Sequence, residues 1–181
     1  MCAGLDPADL VFLDETGVDT AMTRTYARAR RGERALGRVP GGRRKRLTIL
    51  GALGPEGVVC AMTVAAATDT RVFHAFVERV LVPALAAKPG CTVVMDNLAP
   101  HKAACVRAAL DAAGIAHRYL PAYSPDLNPI EQAWSKLKAW LRTRSARSLA
   151  RLDEELPKAL ERITPQDAQG WFRHCGYRSK P

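Results

Sequence analysis

Apolar residues fall in short runs early in the chain and at helical spacing later. Leu10-Val11-Phe12-Leu13 runs into Asp14-Glu15-Thr16-Gly17, the pattern of a buried strand that ends in a turn. Residues from Arg24 to Arg34 alternate loosely through Tyr26, Arg28 and Arg30, which predicts a second, more exposed strand. Leu36 to Lys45 holds Pro40-Gly41-Gly42 among basic residues and reads as a mobile loop. Leu47–Leu53 and Val58–Val64 are apolar runs separated by Gly54-Pro55-Glu56-Gly57, the signature of an antiparallel hairpin.

The period then changes. Asp69 or Thr70 can cap a helix in which Val72, Phe73, Phe76, Val77, Val80 and Leu81 form one apolar stripe, with Pro83 kinking its end. Cys91–Met95 is a further buried strand closed by Asp96-Asn97. A helix over Lys102–Ala113 ends at Gly114, and Ile115–Leu120 is the last strand. After the proline-rich segment from Pro121 to Pro129, a helix runs from Asn128 to Arg144. Another runs from Ser148 to Ile163, and a short segment with Trp171 and Phe172 closes the chain. Early strands in a meander followed by strands alternating with helices require crossover connections and parallel pairing. The expected fold class is α/β, a mixed five-stranded sheet flanked by helices, and the ribonuclease-H-like fold has this order of elements.

Bulk properties narrow the function. The 181 residues, 48% of them hydrophobic, suit one domain with a real core. The longest apolar run, Val58 to Ala67, is too short to span a bilayer, and the first residues lack a signal-peptide pattern, so no membrane partner is expected and the location expected is cytoplasmic. Cys2, Cys60, Cys91, Cys105 and Cys175 are odd in number and lack C-x-x-C spacing, which argues against disulfides and structural zinc and for small core residues. Net charge is +9 and is gathered. Arg24 to Arg46 holds ten bases against one acid, Glu33, and Lys136 to Arg151 holds six bases and no acid. Two basic segments on an otherwise acidic chain suit a polyanion, and the Arg43-Arg44-Lys45-Arg46 cluster is the densest candidate for DNA backbone contact.

Three acids occupy informative places. Asp14 ends the first strand, Asp96 ends the strand after the first long helix, and Glu131 lies in the first turn of a later helix. Each alone has an ordinary explanation. The two aspartates can be turn residues, and Asn128-Pro129-Ile130-Glu131 can be a capping box. In an alternating α/β sheet, however, ligands gather outside the strand ends, where Asp14 and Asp96 meet if their strands are neighbours. Mg²⁺ or Mn²⁺ would give such acids a common purpose, since hard cations take oxygen ligands and a pair of them serves phosphoryl displacement. Along the helix, Ile130, Trp134, Leu137 and Leu141 form a core stripe. Glu131, Ser135, Lys138 and Arg142 form the adjacent one, so the Glu131 face continues in hydroxyl and base, as a phosphate track would need. A nucleophile-Asp phosphatase loop is the competing enzyme reading of Asp14, but Thr16 stands where its second Asp belongs.

Four segments resemble the D-D-E transposases of bacterial insertion sequences, in the mariner-like superfamily. They are Val11 to Gly17, Val93 to Lys102, Leu120 to Glu131 and Gln132 to Lys138, with 34 residues between Asp96 and Glu131. The resemblance runs from about Leu10 to Tyr177. It implies a ribonuclease-H-like catalytic domain that binds Mg²⁺ or Mn²⁺, two ions, through Asp14, Asp96 and Glu131. Such a domain cleaves DNA at transposon ends and transfers the strand into target DNA. Asn97, His101 and Lys102 flank the second Asp; His101 and Lys102, with Lys138 and Arg142, are the expected phosphate contacts, while Asn97 and Asn128 are expected to orient the site. The expected organisation is one catalytic domain over 1–181, with 145–181 as a C-terminal helical extension. Relatives carry helix-turn-helix modules ahead of this domain. Here that region is expected to be absent and supplied by a missing N-terminal domain or a separate partner, and a homodimer is compatible. The same resemblance implies a place with the nucleoid of a bacterial cell. A catalytically idle or domesticated DNA-binding remnant is the alternative.

Overall fold

The computed structural model describes residues 5–178, so Cys2 lies outside the described residues. Five strands form one sheet: β1 (Leu10–Asp19), β2 (Arg46–Gly54), β3 (Gly57–Val64), β4 (Thr92–Met95) and β5 (Ala116–Tyr119), in the order β3-β2-β1-β4-β5. β1 pairs antiparallel with β2 and parallel with β4, while β4 pairs parallel with β5. This is the mixed sheet that the alternation of period predicts.

Alternation along β1 sends residues to two different cores. Leu10, Phe12 and Val18 pack beneath α4 (Pro129–Arg144), α5 (Leu149–Leu160) and α6 (Pro165–His174). Val11 and Leu13 pack on the other face, with Phe73, Phe76, Val106 and Leu110 of α1 (Thr70–Phe76) and α3 (Ala104–Ala112). The C-terminal helices thus share the main core. Glu155 of α5, only 3% exposed, is met by Arg144 of α4 at 3.4 Å, Arg151 at 3.3 Å and Lys158 at 3.1 Å, and Lys136 of α4 pairs with Asp167 of α6.

The structure corrects four details. β1 does not end at Asp14. It continues to Asp19, because Thr16 and Val18 remain buried and pair with Ile49 and Leu47 of β2. Arg24 to Arg34 forms no strand. Its residues are exposed and no neighbouring strand pairs with them, so residues 20–45 form one long irregular connection. That connection is tied at its base, where Thr20 N–H donates to Lys45 O at 3.0 Å and Arg147 donates to Thr20 O and Met22 O at 3.1 and 2.8 Å. The helix capped by Asp69 holds for two turns and then widens into a π-turn over Val77–Leu81 before α2 (Val82–Leu85). Pro83 has no N–H to donate to Arg79, which explains the break. Finally, the Asn128–Glu131 capping box does not form: Asn128 sits at the N-cap of α4 without a side-chain cap bond.

Candidate active site

The parallel pairing of β1 with β4 runs from Leu10↔Thr92 to Leu13↔Met95. The next residues, Asp14 within β1 and Asp96 just past the end of β4, therefore lie at the same level. Asp14 faces the α4 side of the sheet, as Phe12 does, and is 6% exposed. α4 lies on that face because Ile130, Trp134, Leu137 and Leu141 are buried in the core beneath it. This docking carries Glu131, one residue after Ile130, to the mouth of the same cavity. Asp14, Asp96 and Glu131 together line a space of about 410 Å³, bordered also by Asn97, Lys102, Tyr123 and Asn128.

Each carboxylate has a distinct environment. Asp14 Oδ1 accepts the Glu15 N–H at 2.7 Å. Burial pushes the Asp14 carboxyl up to about 7; the Glu15 N–H and the His101 charge act against this, and Glu131 and Asp96 add to it. Asp96 Oδ1 accepts the Leu98 N–H at 3.1 Å and lies 2.5 Å from His101 Nδ1. Burial acts to raise Asp96, but the close approach of the His101 imidazole and the Leu98 N–H outweigh it and hold the group below the usual carboxylate range. The Glu131 side chain is exposed and makes no hydrogen bond or ion pair among the described residues.

His101 is held from three sides. It is 0% exposed, its ring stacks on Phe73 at 4.1 Å between centroids, and its carbonyl accepts the Tyr119 hydroxyl at 3.1 Å. This corrects its expected role as a phosphate contact: a fully buried imidazole aimed at Asp96 has no surface to offer DNA. It lies against the carboxylate instead. Asn128 is also buried, at 4% exposure, with Oδ1 unpartnered beside the cavity.

The other expected residues divide. Asn97 and Lys102 are exposed on the cavity wall. Lys138, half-buried, has its ammonium pKa lowered by burial first; Glu131 opposes this, Arg142 and Arg46 add to it, and Asp14 opposes it. These couplings place Lys138, Arg142 and Arg46 in one electrostatic neighbourhood with two of the acids. The Arg46 guanidinium lies against Gly17, in space a β-carbon would need. Arg43, Arg44 and Lys45 are exposed on the irregular connection, and among the described residues no hydrogen bond or ion pair ties their side chains to the cavity. Three supports of the site are not evident in the sequence pattern: Phe73 under His101, Gly51 opposite Asp14, and the rim formed by Leu98 and Tyr123. Phe73 and Gly51 read as ordinary core and strand positions, and nothing in the local pattern marks them.

The donor set fits a hard divalent cation in kind. It consists of carboxylate oxygens around one cavity, and Asp14 is driven toward its neutral form partly by the two other acids, a cost a cation would remove. As the side chains stand, no three His, Cys, Asp or Glu among the described residues converge on a single point. Asp96 is turned to His101 and Leu98, and Glu131 is exposed on the lining of the cavity.

A mixed sheet with one acid within β1, one at the adjacent end of the parallel β4 and a third on a packed helix gathers three carboxylates at one cavity. The sequence profile of the DDE superfamily endonucleases matches residues 9–153, and the chain belongs to that family. Among solved structures, the Mos1 mariner paired end complex with Mn superposes with a TM-score of 0.73 at 18% identity, over 93% of this chain and 53% of that one. The Mos1 strand transfer complex gives 0.73 at 19%, over 93% and 52%, and the catalytic domain of Mos1 mariner transposase gives 0.67 at 16%, over 93% and 78%. At these identities the likeness is one of fold, and the fold is ribonuclease-H-like. The chain spans about half the length of the Mos1 chains in the two complexes. Comparison with curated proteins finds no match. Among the described residues no helix is long and apolar enough to cross a membrane.

Proposed function

We propose that residues 1–181 act as one catalytic domain of a DNA transposase, with Asp14, Asp96 and Glu131 as the acids that hold Mg²⁺ or Mn²⁺, two ions in the working site. The observation that carries this reading is the lining of one cavity by all three acids in a chain of the DDE endonuclease family. When bound, the metal supplies Lewis-acid stabilisation of the charge that builds on the phosphoryl oxygens. The protein supplies the rest. β1 and β4 fix two carboxylates at one level, His101 holds Asp96 in orientation, and Glu131 swings on the first turn of a rigid helix. Lys102, Lys138 and Arg142 bind the DNA backbone beside the acids, while Arg43, Arg44, Lys45 and Arg46 extend the interaction along the duplex. Asn97 and the buried Asn128 orient the site.

In this reading the substrates are transposon ends and target DNA, and the protein works at the nucleoid of a bacterial cell. End recognition falls to a helix-turn-helix module in the same or a separate chain, and two catalytic domains pair to join two ends. The test is nicking of supercoiled plasmid. It is expected in Mg²⁺ or Mn²⁺, absent in chelator, and lost in Asp96→Ala and in Glu131→Ala. Nicking that survives either substitution, or survives chelator, sinks the reading. DNA binding without nicking in the unaltered protein would instead mark an idle remnant.

A further inference from the structure

Two non-glycine residues among those described have a positive φ, Tyr123 at 57° and Ser145 at 52°. Ser145 is the left-handed cap that ends α4, an ordinary use of that conformation. Tyr123 caps no helix. It lies between Pro121 and Pro125, where glycine or asparagine would serve a plain turn better. Its ring is entirely exposed, at 101%, and packs in neither core. A strained backbone that presents an aromatic ring to solvent calls for a use of the ring. The place supplies one, because Tyr123 borders the cavity of the three acids, as does Leu98, which is 46% exposed.

The depth of the acids points the same way. Asp14 is 6% exposed, and the cavity above it is about 410 Å³, room for one nucleotide and far too small for a base pair with its neighbours. A nucleotide that enters a cavity of this size leaves the helical stack, which strips its base of its partners. An exposed ring accepts any base face, so stacking needs no sequence match. Lys102, exposed on the lining of the same cavity, is available for the adjoining phosphate.

We propose that Tyr123, flanked by Leu98, is a stacking platform for an unpaired DNA base next to the phosphate held by the acids. The proposal rests on the DNA-cleaving reading above and adds a subsite to it.

The experiment compares affinity for a forked DNA duplex with affinity for the same sequence fully paired, in chelator, so that cleavage plays no part. The unaltered protein should prefer the fork. Tyr123→Ala should lower that preference about tenfold, or ~1.4 kcal/mol, within the range for one base on one ring. Tyr123→Phe should retain the preference. Tyr123→Gly, which relieves the backbone but lacks the ring, should lose it as alanine does. A fork carrying 5-iododeoxyuridine in its unpaired arm should photocrosslink to Tyr123. An unchanged preference in Tyr123→Ala, an equal loss on both duplexes, or an altered oligomeric state that accounts for the change would each overturn the platform. If the unaltered protein neither binds DNA nor nicks it in Mg²⁺ or Mn²⁺, the transposase reading fails. If it does both while Tyr123→Ala keeps the preference, only the platform fails.

Discussion

The indole of Trp134 rests directly on Gly51: a β-carbon added to that glycine would stand 2.6 Å from Cη2 of the ring. Gly51 is the β2 residue paired with Asp14, and Trp134 lies three residues after Glu131 on α4. This contact therefore helps to set the distance between the strand that carries the first acid and the helix that carries the third. Gly51→Ala should lift α4, at a cost of about 1–3 kcal/mol for overpacking, or several degrees in Tm. Nicking should fall with it. Calorimetry and a nicking assay check both, and an alanine that leaves Tm unchanged would show that the helix is not seated here.

Asp96→Asn and Glu131→Gln keep side-chain shape and remove charge. Each should lower metal-dependent nicking roughly a thousandfold or more, the scale of losing ~4 kcal/mol of transition-state stabilisation. Glu131 is exposed, so Glu131→Gln should leave stability within about 0.5 kcal/mol of the unaltered protein. A marked fall in Tm would reassign Glu131 to a structural role.

Asp14 makes metal-free stability depend on pH. Its carboxyl is raised from 3.8 to about 7 by burial, with Glu131 and Asp96 adding to it. Between those values the folded chain holds a proton that the unfolded chain has released, so stability falls as pH rises through this window and levels off above about 7. The full effect is at most about 4 kcal/mol. Asp14→Asn should remove the slope and raise Tm in chelator above pH 7. Added Mg²⁺ should stabilise the unaltered protein and release protons near pH 6. Denaturant melts of both proteins across pH test this. If the unaltered protein gains stability relative to Asp14→Asn as pH rises through the window, the assignment is refuted.

His101 is buried behind Asp96, and on the proposed reading it positions that acid and does not touch DNA. His101→Ala should weaken Mg²⁺ or Mn²⁺ binding about 10–100-fold, as loss of a partner behind a metal ligand does. It should also cost about 3 kcal/mol through the void left against Phe73. Metal affinity by calorimetry is the readout, and the salt dependence of DNA binding should not change.

Arg43, Arg44 and Lys45 are exposed on the connection between β1 and β2. Their joint replacement by glutamine should weaken DNA binding uniformly across sequences. It should also flatten the salt dependence by about 0.9 in log–log slope for each phosphate no longer neutralised. Stability should be unaffected. An unchanged slope would remove the cluster from the DNA face.

Much of this is legible in residues alone. The change from period two to helical spacing after Val64 marks out the sheet and the flanking helices, and the stripe from Ile130 to Leu141 shows which side of α4 is buried. Asp96 and Glu131 stand out by their positions at element ends. What the pattern misses depends on partners distant in sequence. Nothing near Asp14 says that β2 is long enough to carry β1 on to Asp19. The alternation around Tyr26 looks strand-like, but a strand needs a neighbour, and none borders it. His101 looks like a surface base because its polar neighbours hide the fact that Phe73, from another helix, covers it. Side-chain direction within a short turn is likewise beyond reach of the pattern, as Tyr123 and Asn128 show.

The parallel register of β1 with β4 has a consequence in time as well as in space. Its two strands are separated by a hairpin and a broken helix, so their pairing is a late, non-local step in folding. Until it closes, Asp14 and Asp96 belong to unconnected parts of the chain, and no stretch shorter than β1 through α4 carries all three acids. On the proposed reading, a nascent or partly unfolded molecule cannot cut the DNA around it, and completion of the fold is itself the safety catch.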